Sequence, residues 1–144
     1  MSADTNRKLI EQYLASNHED LSMMADDVVF TNTSTGEDFF GRDALSEMLH
    51  YVYHVAFDAH AETRAVIVDD SHAVLEGTIV GRHTGEFAGV PATGKDVRMP
   101  LCVVYEFRDG QIVSARIYPA VPAFLAQVGA VPDLDAAAEK LATA

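Results

Sequence analysis

The stretch Val97–Tyr118, VRMPLCVVYEFRDGQIVSARIY, most constrains what this chain can fold into. Two long alternating runs meet at Arg108-Asp109-Gly110, where Gly110 supplies the positive φ that a tight hairpin turn needs. A period of two sorts the side chains onto two faces. One face carries Val97, Met99, Leu101, Val103, Tyr105 and Phe107, and past the turn Val113, Ala115 and Ile117. The other carries Arg98, Cys102, Glu106, Ser114, Arg116 and Tyr118. An apolar face this wide has to be covered by helices or closed around an apolar ligand. The rest of the chain reads as that cover.

Helical spacing of Leu9, Ile10, Tyr13 and Leu14 predicts a helix over Thr5–Asn17, with Thr5 or Asp4 as its N-cap. A short second helix is expected over Asn17–Met24. A strand over Asp27–Thr33 would put Val28, Phe30 and Asn32 on one side, and Ser34–Asp38 reads as a turn. The next helix is expected from Asp43, its cap, to about Phe57. Its inward stripe is Leu45, Met48, Leu49, Val52 and Ala56, flanked by Tyr51 and Tyr53, with Glu47, His50, His54 and Asp58 on a solvated face.

Strands follow at Ala61–Val68 and His72–Thr84; in the second, Ala73, Leu75, Ile79 and His83 share a face. Gly85–Gly94 is a glycine-rich connection into the hairpin. Beyond Gly129 an alanine-rich tail predicts a short capping helix or a frayed end. Helices first and a curved antiparallel sheet after them make the fold class α+β. At 144 residues the chain makes one domain.

Charge and composition narrow the function classes. A net charge of −12 argues against nucleic acid or an anionic membrane as partner. No apolar run approaches the roughly 20 residues of a membrane span, and the N-terminus lacks a basic-then-apolar signal pattern, so a cytoplasmic location is expected. A single cysteine, Cys102, excludes an intrachain disulfide and a cysteine-based zinc site.

Residues 81–94, GRHTGEFAGVPATG, resemble the G-x-H-x-G-x-F-x-G-x-P-x-T-G signature of the SnoaL-like polyketide cyclases. Asp109-Gly110-Gln111-Ile112 and Phe124-Leu125-Ala126-Gln127-Val128-Gly129 resemble that family's D-G-K-I and L-L-x-Q-L-G. The start, Glu11–Ala15 and Ala25–Asn32, is similar to the ketosteroid isomerases. These resemblances imply an NTF2-like cone, a bent sheet covered on its concave face by N-terminal helices that enclose a pocket, and a homodimer through the outer sheet face. They imply no cofactor.

Residue by residue, Tyr13 resembles the isomerases' oxyanion-hole tyrosine. Asn32 falls where isomerases keep a general-base aspartate and cyclases an asparagine. Val103 falls where isomerases keep a neutral aspartic acid and cyclases a polar group such as histidine. Ile117, or Ala120 if the register slips, matches the cyclases' catalytic aspartate. The hairpin positions for acid–base chemistry are thus apolar here.

Taking a proton beside a carbonyl needs a base and a donor for the developing oxyanion. Tyr13 can be that donor, or a core tyrosine bonded to a backbone carbonyl. Asn32 can donate or accept but cannot be a base at neutral pH, and it can equally cap a turn. His83 is the titratable side chain that alternation puts on the inner face of a strand, so it is the candidate base; its other reading is a brace for the following loop. Phe30, Met48, Val52, Met99, Leu101, Val103, Tyr105 and Ile117 complete the expected substrate pocket, with Tyr105 a second hydroxyl donor.

Glu106 with Arg98 or Arg116 reads as a solvated or subunit-facing ion pair. His50 and His54, one helical turn apart, have metal-ligand spacing but no evident third ligand, so no metal is expected. The sequence therefore supports two functions. One is a cofactor-independent enzyme acting on a hydrophobic, polyketide-like or polycyclic carbonyl compound, by aldol-type cyclisation, isomerisation or dehydration. The other is a non-catalytic binding module for a hydrophobic small molecule.

Overall fold

A computed structural model describes residues 2–130. Helix α1 spans Ala3–Ala15 and starts two residues earlier than the spacing predicts, because Ser2 is the cap: its Oγ accepts from the Thr5 N–H at 3.1 Å. Ile10 and Tyr13 are buried on its inner face. The expected helix over Asn17–Met24 does not form. Ser16 Oγ donates to the Tyr13 carbonyl at 2.7 Å and accepts from the Asp20 N–H at 2.9 Å, while Asn17 and His18 adopt left-handed φ of 56° and 64°. Short polar side chains satisfy the backbone locally here, in competition with a continuing helix.

Strand β1 (Met24–Asn32) begins earlier than expected and buries Met24, Val28 and Phe30. The expected turn at Ser34–Asp38 gives way to a short edge strand, β2 (Glu37–Phe40), antiparallel to β1. Helix α2 (Gly41–His50) follows Phe40, which makes no side-chain cap bond; Asp43 instead lies in the first turn, where its charge suits the helix dipole. The predicted single helix to Phe57 is divided. From Tyr51 to Ala56 it widens into a π-helical turn, and Phe57 already opens a strand.

The sheet is completed by β3 (Phe57–Val68), β4 (His72–His83), β5 (Asp96–Arg108) and β6 (Gln111–Pro119), in the order β2-β1-β6-β5-β4-β3. It is mixed, with β1 and β6 parallel and the other four pairings antiparallel. The hairpin turn is Asp109-Gly110, with φ of 52° and 77°, the double left-handed geometry of a two-residue hairpin loop. A bulge between Glu106 and Phe107 shifts the register, so Ile112, and not Val113, fills the core opposite Phe107.

Helix α3 (Val121–Gln127) seals the end of β5 that β6 does not reach. Gln127 acts there as a surrogate strand: its Oε1 accepts from the Arg98 N–H and its Nε2 donates to the Arg98 carbonyl, both at 2.7 Å. The tail expected beyond Gly129 lies, apart from Ala130, outside the described residues. This is the α+β architecture the order of elements predicts.

The glycine-rich signature is a clasp. Thr84 and Gly85 N–H groups donate to the Ala56 carbonyl, and Thr84 Oγ1 donates to the Val55 carbonyl at 2.9 Å. These bonds satisfy the C-terminal carbonyls of the π-helical turn. A Cβ on Gly85 would stand 2.5 Å from the Val55 oxygen, so the close approach needs glycine. The Tyr51 hydroxyl reaches across and donates to the Glu86 carbonyl.

Candidate functional site

Between the sheet's inner face, α1, α2 and the π-helical turn lies a cavity of about 1010 Å³. Such a volume accommodates a compound of several fused rings. Met99, Leu101, Val103 and Tyr105 line it from β5, Ile117 from β6, Phe30 and Asn32 from β1, and Met48 and Val52 from the helical side. Arg98, Cys102 and Glu106 are not among the lining residues. Alternation along the hairpin therefore identifies the cavity face. Of the two positions left open by the register, Ile117 lines the cavity and Ala120 caps α3.

Five rings run in succession along the wall. Tyr53 stacks on His18 at 4.8 Å with planes 16° apart. His18 meets Tyr13 edge-on at 5.0 Å, Tyr13 meets Tyr105 at 6.1 Å, and Tyr105 meets Phe30 at 6.0 Å. Tyr13 and Tyr105 are buried, 1% and 2% exposed, and the hydroxyls of Tyr13, Tyr53 and Tyr105 bond to no other described residue. Neither hydroxyl is among the sealed-off, unpartnered polar atoms, so both open onto the cavity. Burial pushes all three phenols above their ordinary pKa, and their mutual repulsion as phenolates adds to it for Tyr13 and Tyr105. They are hydrogen-bond donors throughout the physiological range.

Burial lowers the His18 imidazole to about 4, opposed by a hydrogen bond to the Asn17 backbone. His18 is thus neutral at pH 7 and lines the cavity. Helical periodicity hides it, because the sequence reads as a second helix there. The signal available was the run Ser16-Asn17-His18, two of whose members readily take left-handed or capping conformations.

His83 is fully buried but is not in the cavity lining. It lies among Phe57, Phe87 and Phe124 in the second core cluster, with ring centroids 5.6 Å from Phe57 and 4.9 Å from Phe124. The Thr93 backbone N–H donates to Nδ1 at 3.3 Å, which makes Nδ1 the acceptor and leaves the proton on Nε2. Thr93 Oγ1 sits 2.9 Å from the same Nδ1. The placement corrects the expectation of a pocket base: the inner face continues past the cavity, and this end of β4 is roofed by α3 and the glycine-rich loop. His83 braces that loop.

Asn32 caps a turn at the cavity wall. Oδ1 accepts from the Ser34 N–H at 3.1 Å and from Ser34 Oγ at 2.6 Å, an Asx turn, while the residue lines the cavity. Glu47, expected on the solvated face, also reaches the lining, as do the exposed Glu37 and Glu62; no lysine or arginine does among the described residues. Tyr51, Val52 and Tyr53 are consecutive and all line the cavity, which the wider π-helical turn allows. His50 and His54 lie 5.3 Å apart, and no group of three potential metal ligands occurs among the described residues. No described helix is long and apolar enough to cross a membrane.

A family model of SnoaL-like polyketide cyclases matches residues 8–128, and the chain belongs to that family. Solved structures of the same fold include a candidate SnoaL-like polyketide cyclase from Jannaschia sp. CCS1, with a TM-score of 0.77 at 16% identity over 90% of this chain and 95% of that one. TsrD from Streptomyces laurentii gives 0.76 at 20% identity over 91% and 99%. IdmH, a candidate polyketide cyclase from Streptomyces antibioticus, gives 0.66 at 24% identity over 88% and 96%. At these identities the likeness establishes the fold. No protein of curated function matches the sequence significantly.

Proposed function

We propose that this protein is a cofactor-independent enzyme that moves a proton at carbon in a hydrophobic, polyketide-like or polycyclic carbonyl compound. Aldol-type cyclisation, isomerisation and dehydration all begin with that step. The observation that carries the reading is the convergence of unpartnered phenol hydroxyls, Tyr13 and Tyr105 with Tyr53, on one apolar cavity. Donors fixed in an apolar site favour the developing enolate over the neutral carbonyl, since charge interacts more strongly there than in bulk water. Asn32, with its oxygen held by Ser34, has its amide N–H groups left for a second substrate oxygen.

The test is deuteration of 2-tetralone, an uncharged bicyclic ketone, at its α-carbons in D₂O, followed by NMR. The protein should accelerate exchange beyond buffer. Saturable binding without acceleration would leave the second reading, a binding module. Val103 and Ile117 favour that one, since they face each other across the hairpin where the family resemblance puts acid–base groups.

For assembly we propose a homodimer through the outer sheet face. Arg116 and Glu106 pair there at 2.7 Å, with half-buried Val74, Val80 and Val104 nearby. Light scattering at micromolar protein should give twice the chain mass, and a pure monomer would remove the idea.

A further inference from the structure

Left-handed φ at two successive non-glycine residues is uncommon, and persists where surrounding structure fixes it. Here Asn17 and His18 both adopt it, directly after α1. The effect is to turn the His18 ring back against the end of α1 and into the cavity, between Tyr13 and Tyr53. No other histidine is in the cavity lining, and the carboxylates that are, Glu37, Glu47 and Glu62, belong to exposed residues. Among the described residues His18, half-buried between two phenol rings, is therefore the imidazole that the cavity offers as a proton acceptor.

We propose that His18 is the general base of the site, taking a proton from the carbon beside a carbonyl that Tyr13 and Tyr105 hold. The inference rests on the proton-transfer reading above and names the group that reading requires. The C–H bond breaks, its proton forms an N–H bond on the free ring nitrogen, and its electron pair moves into the C–C–O unit as an enolate. That oxyanion accepts hydrogen bonds from the phenols. The imidazolium then returns the proton: to carbon in an isomerisation, to a departing hydroxyl in a dehydration, or to the new alkoxide in an aldol closure. No other reagent is consumed.

A neutral imidazole has one N–H and one lone pair. The other titratable rings packed on His18 are Tyr13 from α1 and Tyr53 from the π-helical turn, and both remain protonated at neutral pH. Two phenols and an apolar wall leave the base uncharged and ready, at the expense of basicity. An oxyanion hole compensates for a weak base by stabilising the enolate, which makes the C–H more acidic and lowers the basicity demanded of the imidazole.

The experiment uses 2-tetralone exchange in D₂O with His18→Gly and His18→Asn. Both residues accept a φ near 64°, so the chain after α1 keeps its path. Each should cut the exchange rate roughly 10²–10⁴-fold. Added imidazole should restore part of it to His18→Gly, whose lost ring leaves a matching hole, and little to His18→Asn. Full exchange in either variant overturns the assignment while leaving the proton-transfer reading standing. A loss that imidazole does not rescue in a folded His18→Gly protein also overturns it, since His18 would then only shape the cavity. Absence of exchange in the unaltered protein removes both.

Discussion

The imidazole of His18 lies almost flat on the ring of Tyr53, 4.8 Å away and 16° from parallel, although 35 residues separate them in the chain. The contact joins the segment after α1 to the π-helical turn. It also contributes to the desolvation that holds a histidine whose ordinary pKa is 6.5 near 4 in the folded protein.

Stability should therefore depend on pH in a definite window. The folded state binds a proton at His18 less readily than the unfolded chain does, so between about 6.5 and about 4 unfolding takes up the proton. Stability from this residue is present above that window and is lost as pH falls through it, by on the order of 1–3 kcal/mol in full. Urea unfolding at pH 7.5 and pH 5 should show wild-type protein losing more than His18→Asn. Equal losses would mean that the ring is not desolvated.

The hairpin's face, the α1 stripe and the cavity wall were legible because strict alternation and helical spacing admit one buried side each. Met99, Leu101, Val103 and Tyr105 all fall where period two puts them. His18 and His83 were not, for opposite reasons. Local hydrogen bonds of Ser16 override the helical pattern that hides His18. For His83 the face was right, but a sheet face is longer than the cavity on it, and only tertiary packing shows that Phe57 and Phe124 occupy that end. The π-helical turn left no period in the sequence at all, and it is what brings Tyr53 inward.

Tyr13→Phe should slow 2-tetralone exchange by roughly 10², the usual worth of one oxyanion donor, while weakening ground-state binding by only about 1 kcal/mol. Tyr105→Phe should behave alike. If the two hydroxyls bond the same oxyanion, the double variant will lose less than the product of the single losses, because neighbouring sites are not additive. An equal effect on binding and rate would mark the tyrosines as simple ligand contacts.

The signature loop makes a stability prediction independent of chemistry. Gly85→Ala puts a methyl group 2.5 Å from the Val55 carbonyl oxygen, a backbone atom that cannot swing aside. The loop or the π-helical turn has to move, and a cost of roughly 1–3 kcal/mol is expected from such overpacking. Thr93→Val removes the hydroxyl beside His83 Nδ1 while keeping the backbone N–H that donates to it, and should also destabilise, by about 1 kcal/mol. Chemical denaturation that leaves both variants at wild-type stability would contradict the clasp.

The lining also predicts which ligands the cavity refuses. Among the described residues it has three glutamates and no lysine or arginine, and His18 is neutral above about pH 5. A carboxylate entering that space would give up its hydration with no cation to meet it, at a cost that apolar contacts do not repay. An uncharged ligand of the same shape gives up no charge solvation and keeps the phenols as donors to its oxygen. Calorimetry at pH 7 should therefore find 2-naphthoate binding at least about tenfold more weakly than 2-acetonaphthone, a difference of at least about 1.4 kcal/mol. Protonating the acid removes the penalty, so the gap should narrow as pH falls toward 4. Tighter binding of the carboxylate at pH 7 would mean that a cation reaches the cavity, and the substrate would then have to be sought among acids.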